Sequence, residues 1–105
     1  MDFNIAARNF RLDDVLEEYA NKKIKKLERY SHHIINGELI LEKDRSLCLV
    51  ELNLSVKHST ITSKVNNHDM YQGITEVFRK IERQLKKYED KLHERKRVAQ
   101  KTKRI

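Results

Sequence analysis

Between Cys48 and Lys57 the chain alternates without interruption. Cys48, Val50, Leu52, Leu54 and Val56 take turns with Leu49, Glu51, Asn53, Ser55 and Lys57. A period of two puts the first set on one face of a strand and the second set on the other. Such a strand has one side to bury and one side that tolerates water, so the chain must cover a single sheet face. Two helical segments can do so. Met70, Ile74, Val77, Phe78, Ile81, Leu85, Tyr88 and Leu92 recur at helical spacing from Asp69 to about Leu92. At about 100° per residue they share one narrow face. Leu12, Leu16, Ala20, Ile24 and Leu27, flanked by Tyr19 and Tyr30, form a second stripe. It predicts a helix from Asp14 to Tyr30, with Asp13 as N-cap and Asp14 and Glu17 where the helix dipole favours negative charge.

The remaining elements are shorter. Phe3 to Ala7 suits a strand with one buried face. Ser31 to Asn36 reads as a connector, with Asn36-Gly37 as a turn signal. Glu38 to Glu42 reads as a second strand, and Asp44-Arg45-Ser46 as a turn. Lys57-His58-Ser59 turns the alternating strand into a fourth, Thr60 to Val65, rich in β-branched residues. Asn66 and Asn67 offer turn and N-cap chemistry before the long helix. Gly73, inside that helix, costs roughly 1 kcal/mol relative to Ala, which points to close packing against a neighbour. There is no proline, hence no proline break in either helix.

The order is β-α-β-β-β-α. Strands joined by short turns pair antiparallel, and two amphipathic helices on one sheet face make an α+β two-layer sandwich. A double-stranded RNA-binding domain runs α-β-β-β-α, which is this architecture without its first strand. The 105 residues make one domain. We expect residues 1–92 to form it, with 93–105 as a basic tail, either a helix extension or disordered.

Charge is unevenly placed. The net of +7 divides into +2 over residues 1–92 (17 basic, 15 acidic) and +5 over residues 93–105 (6 basic, 1 acidic). Segregated positive charge favours anionic partners, nucleic acid first. Cys48 is the only cysteine, which excludes an intrachain disulfide or a cysteine-built zinc site. Its place in an apolar strand pattern suits a small buried thiol. No apolar run approaches membrane-spanning length, and no signal-peptide core is present at the N-terminus. The expectation is a reduced cytoplasmic protein without membrane attachment.

Little points to catalysis. There is no glycine-rich phosphate loop, nucleophile elbow or metal-binding histidine pair on one helix face. His32 and His33 are neighbours in a connector, His58 sits in a hairpin turn, and His68 suits capping or packing before a helix. Neither a cofactor nor a small-molecule substrate is expected.

The cationic helix backs are the stronger constellation. Lys22, Lys25, Lys26 and Arg29 fall opposite the first apolar stripe, while Lys23 falls nearer to it and is expected to snorkel. Arg79, Lys80, Arg83, Lys86 and Lys87 line the back of the second helix, with Lys91 one turn further on. Following a phosphate backbone needs several such cations on one surface, and Arg adds forked donation. Side-by-side helices would join the two backs into one basic surface. Glu18–Lys22 and Glu82–Lys86 have the spacing of ordinary intrahelical ion pairs, but the remaining cations outnumber their neighbours of opposite charge. No helix-turn-helix, zinc finger or aromatic pair on a central strand is present. Recognition by shape and phosphate, as for structured RNA, is therefore favoured.

The blocks His68-Asp69-Met70-Tyr71 with Lys80-Ile81-Glu82-Arg83-Gln84-Leu85-Lys86-Lys87, and Lys26-Leu27-Glu28-Arg29-Tyr30 with Ile34-Ile35-Asn36, are more specific. Through them the chain, over about residues 1–97, resembles the ribosome hibernation-promoting factor family, which includes the ribosome-associated inhibitor called protein Y. The resemblance implies the β-α-β-β-β-α fold and binding to the small ribosomal subunit and the 70S ribosome. The family contacts 16S rRNA in the channel between head and body. There it blocks mRNA and A- and P-site tRNA and inhibits translation under stress or in stationary phase. It implies contacts from Lys23, Lys26 and Arg29, and from Arg79, Lys80, Arg83, Lys86 and Lys87. Long-form members carry a further C-terminal domain that dimerises ribosomes, and this chain resembles the short form. Whether a helper protein for ribosome dimerisation takes part stays open. The alternatives are a general double-stranded RNA-binding module and a modulator of a sigma factor or RNA polymerase.

Overall fold

The computed structural model describes the backbone of residues 1–103 and the side chains of residues 1–93. Strands β1 (Asp2–Arg8), β2 (Ile34–Asp44), β3 (Leu47–Val56) and β4 (Ser59–Asn67) form one sheet in the order β1-β2-β3-β4. Helix α1 (Asp14–Lys25) connects β1 to β2, and α2 (Met70–Lys103) follows β4. The crossover through α1 returns the chain so that β1 and β2 pair parallel, Phe3 opposite Gly37. The β2–β3 and β3–β4 hairpins pair antiparallel, with Leu39 opposite Leu52 and Leu54 opposite Ile61. Arg45 and His58 take positive φ at the two hairpin tips. Following the strand directions, α1 and α2 run the same way across the sheet.

The apolar stripes find their cover as their spacing requires. Leu52 and Leu54 on the sheet are fully buried, as are Ala20 and Leu27 from the first stripe and Ile74, Val77, Ile81 and Leu85 from the second. Cys48 is buried in this core, its thiol 3.8 Å from the His68 carbonyl. Ser63 is the one buried polar residue of the described core, and its hydroxyl donates to the Val77 carbonyl at 2.9 Å. Gly73 meets β3 directly: a Cβ there would lie 2.9 Å from Val50 Cγ2, so the glycine allows the helix to seat on the sheet.

The opposite sheet face has no helix over it and is held by polar cross-strand pairs. Glu51 accepts from Asn53 Nδ2 at 2.8 Å and pairs with Lys64 at 3.3 Å. The Asn53 hydrogen bond, then the Lys64 ion pair, hold the Glu51 carboxyl below the usual carboxylate range despite partial burial.

Two local expectations are corrected. The expected helix from Asp14 to Tyr30 is α-helical only to Lys25, and Lys26–Tyr30 tightens into a 3-10 helix. Ile24, Leu27 and Tyr30 are spaced by three, and a helix of about three residues per turn turns each inward. Leu27 and Tyr30 are accordingly buried. Asn36-Gly37 is no turn but lies inside β2, which begins at Ile34 rather than Glu38. Packing explains the glycine: a Cβ at Gly37 would lie 2.5 Å from Phe3 Cε1 and 2.8 Å from Leu54 Cδ2. A register shift between Ile34 and Asn36 leaves Ile35 unpaired and exposed. Beyond Leu92 the backbone of α2 continues through Lys103, which is the helix-extension alternative.

Gly37→Ala is expected to destabilise the fold by about 1–2 kcal/mol. The cost of overpacking a filled core exceeds the entropic gain from removing a glycine. Urea denaturation would measure it, and adding Phe3→Leu should recover part of the loss.

Candidate nucleic-acid interface

The first cationic group is built from the end of α1. Asp13 Oδ1 accepts from Leu16 N at 2.8 Å and starts the helix, Asp14 and Glu17 occupy its first turn, and Lys22, Lys23 and Lys25 occupy its last. This polarity matches the helix dipole at both ends. Lys26 and Arg29 follow on the 3-10 helix, where residues three apart stand in one row. Lys22, Lys25, Lys26 and Arg29 are exposed. Lys23 is half-buried, its ammonium 5.3 Å from the Tyr19 ring centroid, which is the snorkelling geometry. The Arg29 guanidinium lies 5.1 Å from the Tyr30 ring centroid, so a buried ring orients an exposed cation.

The second group lies along α2. Arg79, Lys80, Arg83, Lys86, Lys87 and Lys91 are all exposed. They divide between the two flanks of the helix. Arg79 faces α1 across a groove lined by Tyr19, Tyr71 and Thr75. Lys80 turns the other way, its ammonium donating to the Lys64 carbonyl at 3.4 Å. Lys87 and Lys91 line a groove of about 440 Å³ with Lys57 and His58 from the β3–β4 turn. Lys57 and His58 were not among the expected cations. Their sequence signal was a basic residue at a hairpin tip, and only the docking of α2 along β4 brings them beside Lys87.

Few of these cations are neutralised. Of the expected site cations among the described residues, only Lys22 is within ion-pair distance of a carboxylate, Glu18 at 4.0 Å. That pair is exposed, and such pairs contribute little. The expected Glu82–Lys86 pair does not form among the described residues, although its spacing permits it.

Two contacts set the distance between the groups. The Tyr19 hydroxyl bonds to Thr75 Oγ1, whose own proton goes to the Tyr71 carbonyl at 3.1 Å, so Tyr19 donates. The Tyr19 and Tyr71 rings meet edge to face with centroids 5.0 Å apart. At the other end, His33 Nε2 meets Glu89 Oε2 at 3.1 Å. No described helix is long and apolar enough to cross a membrane.

A small α+β domain with two parallel helices and exposed, mostly unpaired cations on both is the class that fold and site define. The chain belongs to the Sigma 54 modulation protein / S30EA ribosomal protein family, whose model matches residues 3–93. It is 30% identical over 98 residues to a ribosome hibernation promotion factor of Staphylococcus aureus (strain COL), covering 90% of this chain and 52% of that protein. It is likewise 30% identical over 97 residues to the factor of the same name from Bacillus subtilis (strain 168), covering 89% of this chain and 51% of the relative. The chain thus spans about half the length of these curated relatives. In fold it is similar to a ribosomal subunit interface protein from Coxiella burnetii, with a TM-score of 0.80 at 24% identity, covering 86% of this chain and 99% of the other. The N-terminal domain of Thermus thermophilus Protein Y gives 0.75 at 19% identity, covering 84% and 99%.

Tyr19→Phe is expected to cost about 1 kcal/mol, one hydrogen bond's net worth. Tyr19→Ala should cost about 3 kcal/mol or more because the ring no longer packs between the helices. Chemical denaturation of the two variants would separate the hydroxyl from the ring.

Proposed function

We propose that this chain is a ribosome-binding hibernation factor whose two cationic helices hold it on the 16S rRNA of the small subunit. The single observation that carries the reading is the row of exposed cations on α2, joined by Lys26 and Arg29 and left without carboxylate partners among the described residues. Unpaired surface cations are the groups that exchange counterions for phosphates. Membership of the family and the printed names of its relatives direct the reading from RNA in general to the ribosome.

The mechanism is occlusion. A rigid domain seated by phosphate contacts in the channel between head and body takes the space of mRNA and of A- and P-site tRNA, and no reaction is required. The cations supply affinity, while the shape of the helix pair selects the groove. Arg83 and Arg79 add bidentate geometry to the point charges of the lysines. Residues 93–105 are proposed as a further cationic arm; from residue 94 on, the side chains lie outside the described set.

Two measurements test this. Arg83→Glu with Lys87→Glu should weaken co-sedimentation with 30S subunits by roughly 100-fold, at about 1.5 kcal/mol for each charge-assisted hydrogen bond to phosphate that is removed. The melting temperature should barely change, since both positions are exposed. Undiminished binding by this variant would sink the surface assignment. Affinity of the unmodified chain should also fall with salt, with a log–log slope on the order of −4 to −6 for several phosphate contacts. A flat response, with recovery of RNA polymerase in place of ribosomes, would instead favour the sigma-factor reading. Equal affinity for a plain RNA duplex would favour a general RNA-binding module.

A further inference from the structure

Two imidazoles and a carboxylate converge where the turn after the 3-10 helix passes α2. His32 and His33 lead into β2, and Glu89 lies 56 residues further along the chain from His33. One ligand atom from each of the three side chains falls within 4.8 Å of the others. His33 Nε2 stands 3.1 Å from Glu89 Oε2, with the two side chains only 15% and 31% exposed. The His32 ring lies against His33 with centroids 3.8 Å apart and planes inclined by 42°. Tyr88 meets the His33 ring edge to face at 5.5 Å and helps to hold it in place.

A hydrogen bond between His33 and Glu89 explains two of these groups and leaves His32 unexplained. An exposed second imidazole brought to the same carboxylate is the arrangement of a metal ligand set. We propose that His32, His33 and Glu89 form a site for a divalent transition-metal ion of the zinc class. The chemistry suits such an ion: two nitrogen donors and one carboxylate oxygen are a common ligand set for zinc, with water completing the tetrahedron. Bonds of about 2.0–2.1 Å set neighbouring donors about 3.3 Å apart. The His33–Glu89 gap is already near that value, and rotation of the exposed His32 side chain closes the third side. The bound ion ties the segment entering β2 to α2. It therefore fixes the distance between the two cationic groups at the end remote from Tyr19. The site does not depend on what those groups bind.

Titration of the full chain, free of any histidine tag, with Zn²⁺ in a calorimeter tests the proposal. One ion should bind per chain, and Co²⁺ in its place should give the visible absorption of a tetrahedral complex. Saturating Zn²⁺ should raise the melting temperature by roughly 10 °C at 100-fold excess over Kd. His32→Ala, at an exposed position that leaves the fold intact, and Glu89→Gln should each weaken binding about tenfold or more. His58→Ala and His68→Ala should leave it unchanged. No Zn²⁺ binding, binding insensitive to both His32→Ala and Glu89→Gln, or an equal thermal shift with Mg²⁺ would overturn the site.

Discussion

Leu39, Leu41, Val50, Leu52, Leu54, Ile61 and Val65 crowd the core side of a single sheet, and that side must be kept from water. At about 25 cal/mol per Å² of apolar area, burying side chains of this size supplies much of the driving force for a chain of this length. The sheet's other side carries Glu51, Asn53 and Lys64 in a hydrogen-bonded row and cannot receive a helix without stranding them. Both helices are therefore confined to one side. Confined so, they lie next to each other and turn their backs outwards together. The cationic surface follows from how the core is closed.

The same constraint gives weight to the few contacts between the helices. Tyr19 with Tyr71 and Thr75 at one end, and His33 with Glu89 at the other, are the side-chain ties between the first helical segment and its connector on one side and α2 on the other. Two long basic faces repel each other, so a fixed separation needs contacts of this kind. An aromatic edge contact with a hydroxyl hydrogen bond at one end, and an imidazole–carboxylate hydrogen bond at the other, provide them.

Most of the fold can be read from the chain because its signals are periodic and local. The spacing of Ile74, Val77, Phe78, Ile81 and Leu85 defines a helix face whatever it packs on, and the alternation from Cys48 to Val56 defines a strand. Asn36-Gly37 misleads because its reason is distant: the glycine makes room for the Phe3 ring, more than thirty residues earlier in the chain. The tightening at Lys26–Tyr30 is half visible, since Ile24, Leu27 and Tyr30 carry the spacing but so does a fraying α-helix. The exposed cations of the site are legible as a wheel pattern. Their division between the flanks of α2 is not, because it depends on β4 presenting the Lys64 carbonyl and on the β3–β4 turn presenting Lys57 and His58. No sequence window links His33 to Glu89.

The shared direction of the two helices has a further effect. Asp13, Asp14 and Glu17 gather where α1 begins, and Asp69 accepts from Tyr71 N at the start of α2. Lys22, Lys23, Lys25, Lys26 and Arg29 gather at the far end of the first helical segment, and the exposed cations of α2 run from Arg79 to Lys91, so the helix pair is more basic beyond its first turns. Such a body carries a permanent electric moment along its length. In the field of a polyanion it turns basic end first while still at a distance of about a Debye length. On the proposed rRNA-binding reading, the domain would meet its target already oriented. Fewer of its collisions are wasted than if the same charges were evenly spread.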